Sequence, residues 1–107
     1  MGNAKIICGN LHDAAPAPAQ GERFETLLQH KNLVIERIIS SAATAPTSYV
    51  QEQDEWVLLV QGTAVLDIDG TAKSLGAGDY VFLPAKTPHR VTQVSAGALW
   101  LAVHLHP

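Results

Sequence analysis

Cysteine is nearly absent from this chain of 107 residues, with Cys8 standing alone. A single cysteine closes no internal disulfide, so the fold must rest on its core, and the composition fits a reducing compartment. Just ahead of the strand-forming part of the chain, Cys8 reads as a small buried hydrophobe rather than a catalytic thiol. Charge is scarce too, at 16% of residues, and the seven Lys and Arg are scattered singly under a net charge of −3. Without a basic stripe, nucleic acid is not the expected partner. No apolar run approaches the roughly 20 residues that span a bilayer, and no basic amphipathic segment is present, so no membrane attachment is expected. The start MGNAKIICGN lacks a charged region followed by an apolar core, and Ile6 stands where a myristoylation signal has Ser or Thr. A cytoplasmic protein is expected.

What the chain does have is apolar material, 47% of it, in a length suited to one domain covering residues 1–107. The Pro/Ala-rich stretch AAPAPAQG (14–21) reads as the end of an extended arm, residues 1–21, lying on the surface or on a partner subunit. In GERFETLLQHKN, Phe24, Leu27 and Leu28 fall at i, i+3 and i+4, which predicts a short N-terminal helix. The period then becomes strand-like. LVIERIIS, EWVLLVQG, YVFLP, HRVTQV and ALWLAVHL read as strands, and Asp69-Gly70 marks a tight hairpin. Short strands at spacings of roughly 8–12 residues predict an all-β barrel or sandwich over residues 33–105. The unbroken runs VLLV and YVFL imply strands covered on both faces, hence a homodimer.

Chemistry concentrates in two places. Tyr49, Gln51, Gln53 and Glu55 share the parity of one strand face, unless QEQDE contains a turn, and His89 begins a later strand. A carboxylate, an imidazole and neutral oxygen donors meeting inside a barrel would suit Fe, Mn, Ni or Zn. The plainer alternatives are that Glu55 caps a strand at the surface and that His89 is tied to a carbonyl at the Thr-Pro turn. His104 follows WLAV and is the inward candidate of an H-x-H pair, either a spare imidazole or a core histidine bonded to Tyr49 or Glu55; His106 reads as exposed. Arg37 reads as outward, pairing with an acidic residue across the sheet, which sends Glu36 to the opposite face. Arg90 should point out of the barrel, and Trp56 and Trp100 are packing residues.

The segment GDYVFLPAKTPHRVTQ resembles the second motif of the cupin superfamily, G-x5-P-x-G-x2-H-x3-N. Gly78, Pro84 and His89 match, with Lys86 in the glycine slot and Gln93 in the asparagine slot. Glu55 followed by Gly62 resembles the end of the first motif, G-x5-H-x-H-x3–4-E-x6-G, whose two histidine positions fall on Tyr49 and Gln51. The resemblance spans residues 33–105 and is to the small single-domain cupins. It implies a double-stranded β-helix, or jelly-roll, with Glu55 and His89 as two of the usual four metal ligands and Gln51 joining them. If the site is catalytic, the expected activity is that of an oxygenase or isomerase acting on a small molecule through a divalent metal, with Tyr49 or His104 transferring protons. The alternative is a metal-free barrel in which Gln51, Glu55 and His89 form a hydrogen-bond network around a small polar ligand. Membership implies a fold and not a reaction.

Overall fold

The computed structural model describes residues 5–43 and 45–107, so residues 1–4 of the expected arm, and Thr44, lie outside the described residues. Eight strands follow one another: β1 (Glu22–His30), β2 (Leu33–Ser40), β3 (Asp54–Gln61), β4 (Thr63–Ile68), β5 (Thr71–Gly76), β6 (Tyr80–Leu83), β7 (His89–Val94) and β8 (Leu99–Leu105). They form two antiparallel sheets, β1-β2-β8-β3-β6 and β5-β4-β7. No described helix is long and apolar enough to cross a membrane.

The alternation of β-branched and large apolar residues dictates which face goes inward. Val57 and Leu59 of β3, Trp100 and Ala102 of β8, Ile38 of β2, and Ala64 and Leu66 of β4 make a continuous buried cluster between the sheets. Each fully buried aliphatic side chain contributes about 1.5–3 kcal/mol relative to exposure. The β4–β5 hairpin turns on Asp69 and Gly70, both at positive φ (49° and 86°) as a type I′ turn requires. The Gly70 N–H adds a bond to the Asp67 carboxylate at 2.9 Å. Gly62, between β3 and β4, sits at φ 99°, where a Cβ would lie 2.7 Å from Ser95 Oγ and 3.0 Å from the Ala98 backbone, so any other residue would be strained and crowded here.

The expected N-terminal helix is instead strand β1. Thr26 pairs with Glu36 and Leu28 with Ile35, so Leu27 is the extra residue of a β-bulge. The bulge shifts the parity of the strand. Phe24 therefore faces the interior cavity, while Leu28 faces a groove on the outer side. Without the bulge an i, i+4 pair would share one strand face. The inserted residue breaks that rule and leaves a spacing that imitates a helix.

Cys8 is exposed rather than buried, because the segment carrying it precedes β1 and lies outside the barrel. The arm is held down at its middle by Arg37, whose guanidinium donates to the carbonyls of Leu11 (2.8 Å), Asp13 (2.6 Å) and Ala14 (3.1 Å). Arg37 also grips Glu25 of β1 across the sheet, at 3.0 and 3.2 Å. Its outward orientation and cross-strand partner follow the alternation of β2, but the arm buries it almost completely.

Candidate functional site

The inner faces of three neighbouring strands carry the polar groups. Glu55 of β3 lies directly opposite His104 of β8, and β2 delivers Glu36 beside them, opposite Ala102. From the far side His89, the first residue of β7, enters with its backbone doubly bonded to Tyr49 (2.8 and 3.0 Å). That pairing holds residues 49–51 alongside the barrel mouth, and the Lys86 N–H to Gln51 carbonyl bond (2.6 Å) fixes the other end. Together these residues surround a cavity of about 90 Å³. Its walls are apolar, from Ile38, Val57, Leu66, Leu83, Val91 and Trp100, and its polar lining is Glu22, Glu36, Tyr49, Gln51, Glu55, His89 and His104.

Lys86 occupies the cupin glycine slot at φ 65°, a left-handed conformation that costs a side-chain-bearing residue about 1–2 kcal/mol. Its ammonium lies 3.9 Å from Glu52 with both groups well exposed, a pair worth little. The turn conformation is thus kept although the glycine is not, and the backbone bond to Gln51 depends on it.

Two linked networks organise the cavity. In the first, the Gln51 amide donates to Glu55 Oε1 at 2.7 Å, and Glu55 is only 7% exposed. The His89 Nδ1–H donates to the Thr87 carbonyl at 3.0 Å, which fixes the ring so that Nε2 faces Glu55 Oε1 at 3.7 Å. The Tyr49 ring stacks over His89 with centroids 5.7 Å apart. In the second, His104 Nε2 lies 2.9 Å from Glu36 Oε1 and 4.0 Å from Glu55 Oε2, with the Gln53 amide 3.2 Å from Nδ1. The Glu36 hydrogen bond raises the His104 pKa; burial opposes this and the Glu55 charge assists it.

Glu22 stands at the edge of the cavity. Its Oε2 accepts the Ser40 hydroxyl at 2.6 Å, and Ser40 Oγ in turn accepts the Trp100 indole N–H at 3.1 Å. Burial pushes the Glu22 carboxyl up, with Ser40 pulling it down and Glu36 adding to the rise. Burial raises Tyr49 as well, with the Glu22 and Glu55 charges contributing, so its phenol stays a hydrogen-bond donor.

Among the described residues, no group of three or more His, Cys, Asp or Glu side chains is placed to hold a metal ion. Of the ligands implied by the cupin resemblance, Glu55 and His89 direct lone pairs at a common space. Gln51 spends its amide N–H on Glu55 and would become a ligand only by turning its Oε1 inward. His104 is engaged by Glu36. The donor set therefore offers two N/O ligands, with Gln51 as a third on rotation, and does not make a four-ligand centre.

Tyr49, Gln51, Glu55, His89 and His104 all line this one cavity. Sequence reasoning missed Glu36 and Glu22 as members. The signal for Glu36 was present, since an outward Arg37 sends that carboxylate inward in step with Ile38, but nothing local says that it meets His104. Glu22 could not be found while its segment read as a helix. His106 is exposed and its ring stacks beside His104 at 6.3 Å. Arg90 points away from the cavity and meets Asp67 at 3.5 Å.

The same architecture recurs in known structures. A candidate mannose-6-phosphate isomerase from Ralstonia eutropha JMP134 is 39% identical, covers 94% of this chain and 98% of its own, and superposes with a TM-score of 0.83. A conserved protein of unknown function from Streptococcus pyogenes is 21% identical over 100% of this chain and 91% of its own, with a TM-score of 0.78. An RmlC-like cupin from Shewanella frigidimarina is 17% identical over 97% and 93%, with a TM-score of 0.79. No curated protein matches the chain. The Cupin domain family matches residues 35–104, from Ile35 of β2 to the cavity's His104. With both sheets, the two motif ends and the cavity in their places, the chain belongs to the cupin family.

Proposed function

We propose that this cupin binds a small polar molecule in the cavity between its sheets, and that Glu55 and His89 are the groups that contact it. The observation carrying this reading is that the surrounding polar groups take up one another's hydrogen-bonding capacity. Gln51 holds Glu55, Glu36 holds His104, and Thr87 holds the far side of His89. What is left facing the cavity is a carboxylate and an imidazole nitrogen 3.7 Å apart. In a catalytic form of the reading this pair transfers a proton, with the Tyr49 phenol as donor, which is the chemistry of an isomerase. The description of the Ralstonia relative supports that reaction class.

A second reading has one specific support, the His89 Nδ1 bond to the Thr87 carbonyl. Metal-bound histidines are oriented by such a bond. In this reading Glu55, His89 and a rotated Gln51 hold a divalent ion, Fe, Mn, Ni or Zn, which would supply Lewis-acid or redox chemistry. Metal content and melting temperature decide between the two, measured on untagged protein with EDTA and with each ion. The first reading expects less than about a tenth of an equivalent of metal and no shift on adding ions. Near-stoichiometric metal that disappears in both Glu55→Gln and His89→Ala would overturn it in favour of the second.

The proposal extends to a homodimer. Trp56 packs against Tyr80 on the outer side of the larger sheet, and Tyr80 and Phe82 are 66% and 58% exposed. Sedimentation equilibrium at micromolar concentration should give twice the 11.4 kDa chain mass, and Phe82→Glu should return it to one.

A further inference from the structure

We propose that the cavity selects a small ligand bearing hydrogen-bond donors and no anionic group, with Glu22 receiving its outer end. This rests on the ion-free reading above and adds the ligand's charge and the residue that discriminates.

The lining contains three carboxylates, Glu22, Glu36 and Glu55, and neither lysine nor arginine. The two imidazoles do not offset this. His104 is committed to Glu36, and His89 faces Glu55. Proteins hold phosphate with guanidinium or ammonium groups or with the free N–H groups of a helix N-terminus. No helix occurs among the described residues, so neither device borders this cavity. An anionic group placed here would lose its hydration beside Glu22 and Glu55, with His104 already taken up by Glu36. The volume of about 90 Å³ is far below the roughly 300–1,000 Å³ of drug-sized sites, which limits the ligand to a few heavy atoms.

Glu22 belongs to the cavity and also to the adjoining crevice formed with Thr47, Tyr49 and Val91, so it stands where a ligand enters. Its carboxylate is held by Ser40, which Trp100 buttresses in turn. Neither network of the cavity floor uses it. Fixed in this way, its remaining oxygen is an acceptor for a ligand hydroxyl or ammonium group.

The test uses matched probes that differ only in phosphate: dihydroxyacetone with its phosphate, and ethanolamine with phosphoethanolamine. Each is titrated into ¹⁵N-labelled protein in EDTA while the Trp100 indole resonance is followed. At least one unphosphorylated probe should bind tenfold or more tightly than its phosphate, the dihydroxyacetone pair reporting hydroxyl recognition and the ethanolamine pair amino recognition. Glu22→Gln, whose amide oxygen can still accept from Ser40, should retain the folded spectrum and weaken that probe at least threefold. A phosphorylated probe that binds equally well or better while the indole resonance moves overturns the inference and leaves the small-molecule reading standing. Unchanged affinity in Glu22→Gln overturns the role of Glu22. No response to any of the four probes overturns the small-molecule reading and this inference with it.

Discussion

Glu36 and Arg37 are consecutive residues of β2, both shielded from solvent and both charged, yet they belong to different worlds. Arg37 lies under the N-terminal arm, where the carbonyls of Leu11, Asp13 and Ala14 and the Glu25 carboxylate take up its donors. Glu36 lies on the cavity, bonded to a titratable partner, His104, whose same Nε2 lies 4.0 Å from a second carboxylate, Glu55. A charge shut away from the cavity and held mainly by backbone carbonyls serves to hold the chain in place, since those carbonyls do not change state. One whose partner titrates and borders open space can respond to a ligand or to pH. The pleat of one strand is enough to separate structure from chemistry.

The largest expected effect breaks the structural side. Arg37→Ala should cost about 3 kcal/mol, because the Leu11 and Asp13 carbonyls lose the guanidinium that holds them, while Ala14 and Glu25 are left with Arg23 alone. Chemical denaturation should show the loss, and faster hydrogen exchange or proteolysis around residues 5–15 should show the arm released. The cavity resonances should not move. If the arm stays protected, Arg37 is not what holds it.

A smaller effect is expected on the chemical side, with a distinctive pH dependence. The folded-state pKa of His104 lies above its reference value of 6.5, so the stabilisation from Glu36 is fully present below pH 6.5 and is lost as pH rises through the folded value. Glu36→Gln should therefore cost about 2 kcal/mol at pH 6 and progressively less on the alkaline side. A stability difference that stays flat from pH 6 to 9 would show that His104 is not charged by this contact.

The smallest effect concerns the support of the site rather than the charges. Lys86→Gly should stabilise the protein by about 1 kcal/mol, since it relieves the left-handed strain at φ 65° and gives up only an exposed ion pair. Gly also carries more unfolded-state entropy, so a net loss of stability in the melting curve would mean that this term outweighs the strain.

Much of the barrel was legible because its signals are local. Alternation along LVIERIIS and HRVTQV reproduces β2 and β7, and Asp69-Gly70 locates the hairpin, since a type I′ turn needs positive φ at both central residues. Glu55 and His89 were legible through motif spacing, whereas Tyr49 and Gln51 reach the cavity from a segment that bends before β3 begins at Asp54, so shared strand parity is not what places them. The N-terminal strand was not, because a bulge at Leu27 is created by pairing with β2 and leaves no local trace beyond a misleading period. Cys8 failed for a related reason: its burial depends on where the arm is pinned, and Arg37, 29 positions later in the chain, decides that.

By itself, the order of residues determined that this chain forms short strands with one tight hairpin at Asp69-Gly70, and that Glu55 and His89 stand at cupin motif positions. These follow from period, turn geometry and spacing, all of which act over a few residues. Tertiary structure alone decided that Glu22 and Glu36 join them, that His104 is held by Glu36, and that the cavity holds three carboxylates with no fixed cation beside them. Those are contacts between strands distant in sequence, set by how the sheets register and which face the bulge turns inward.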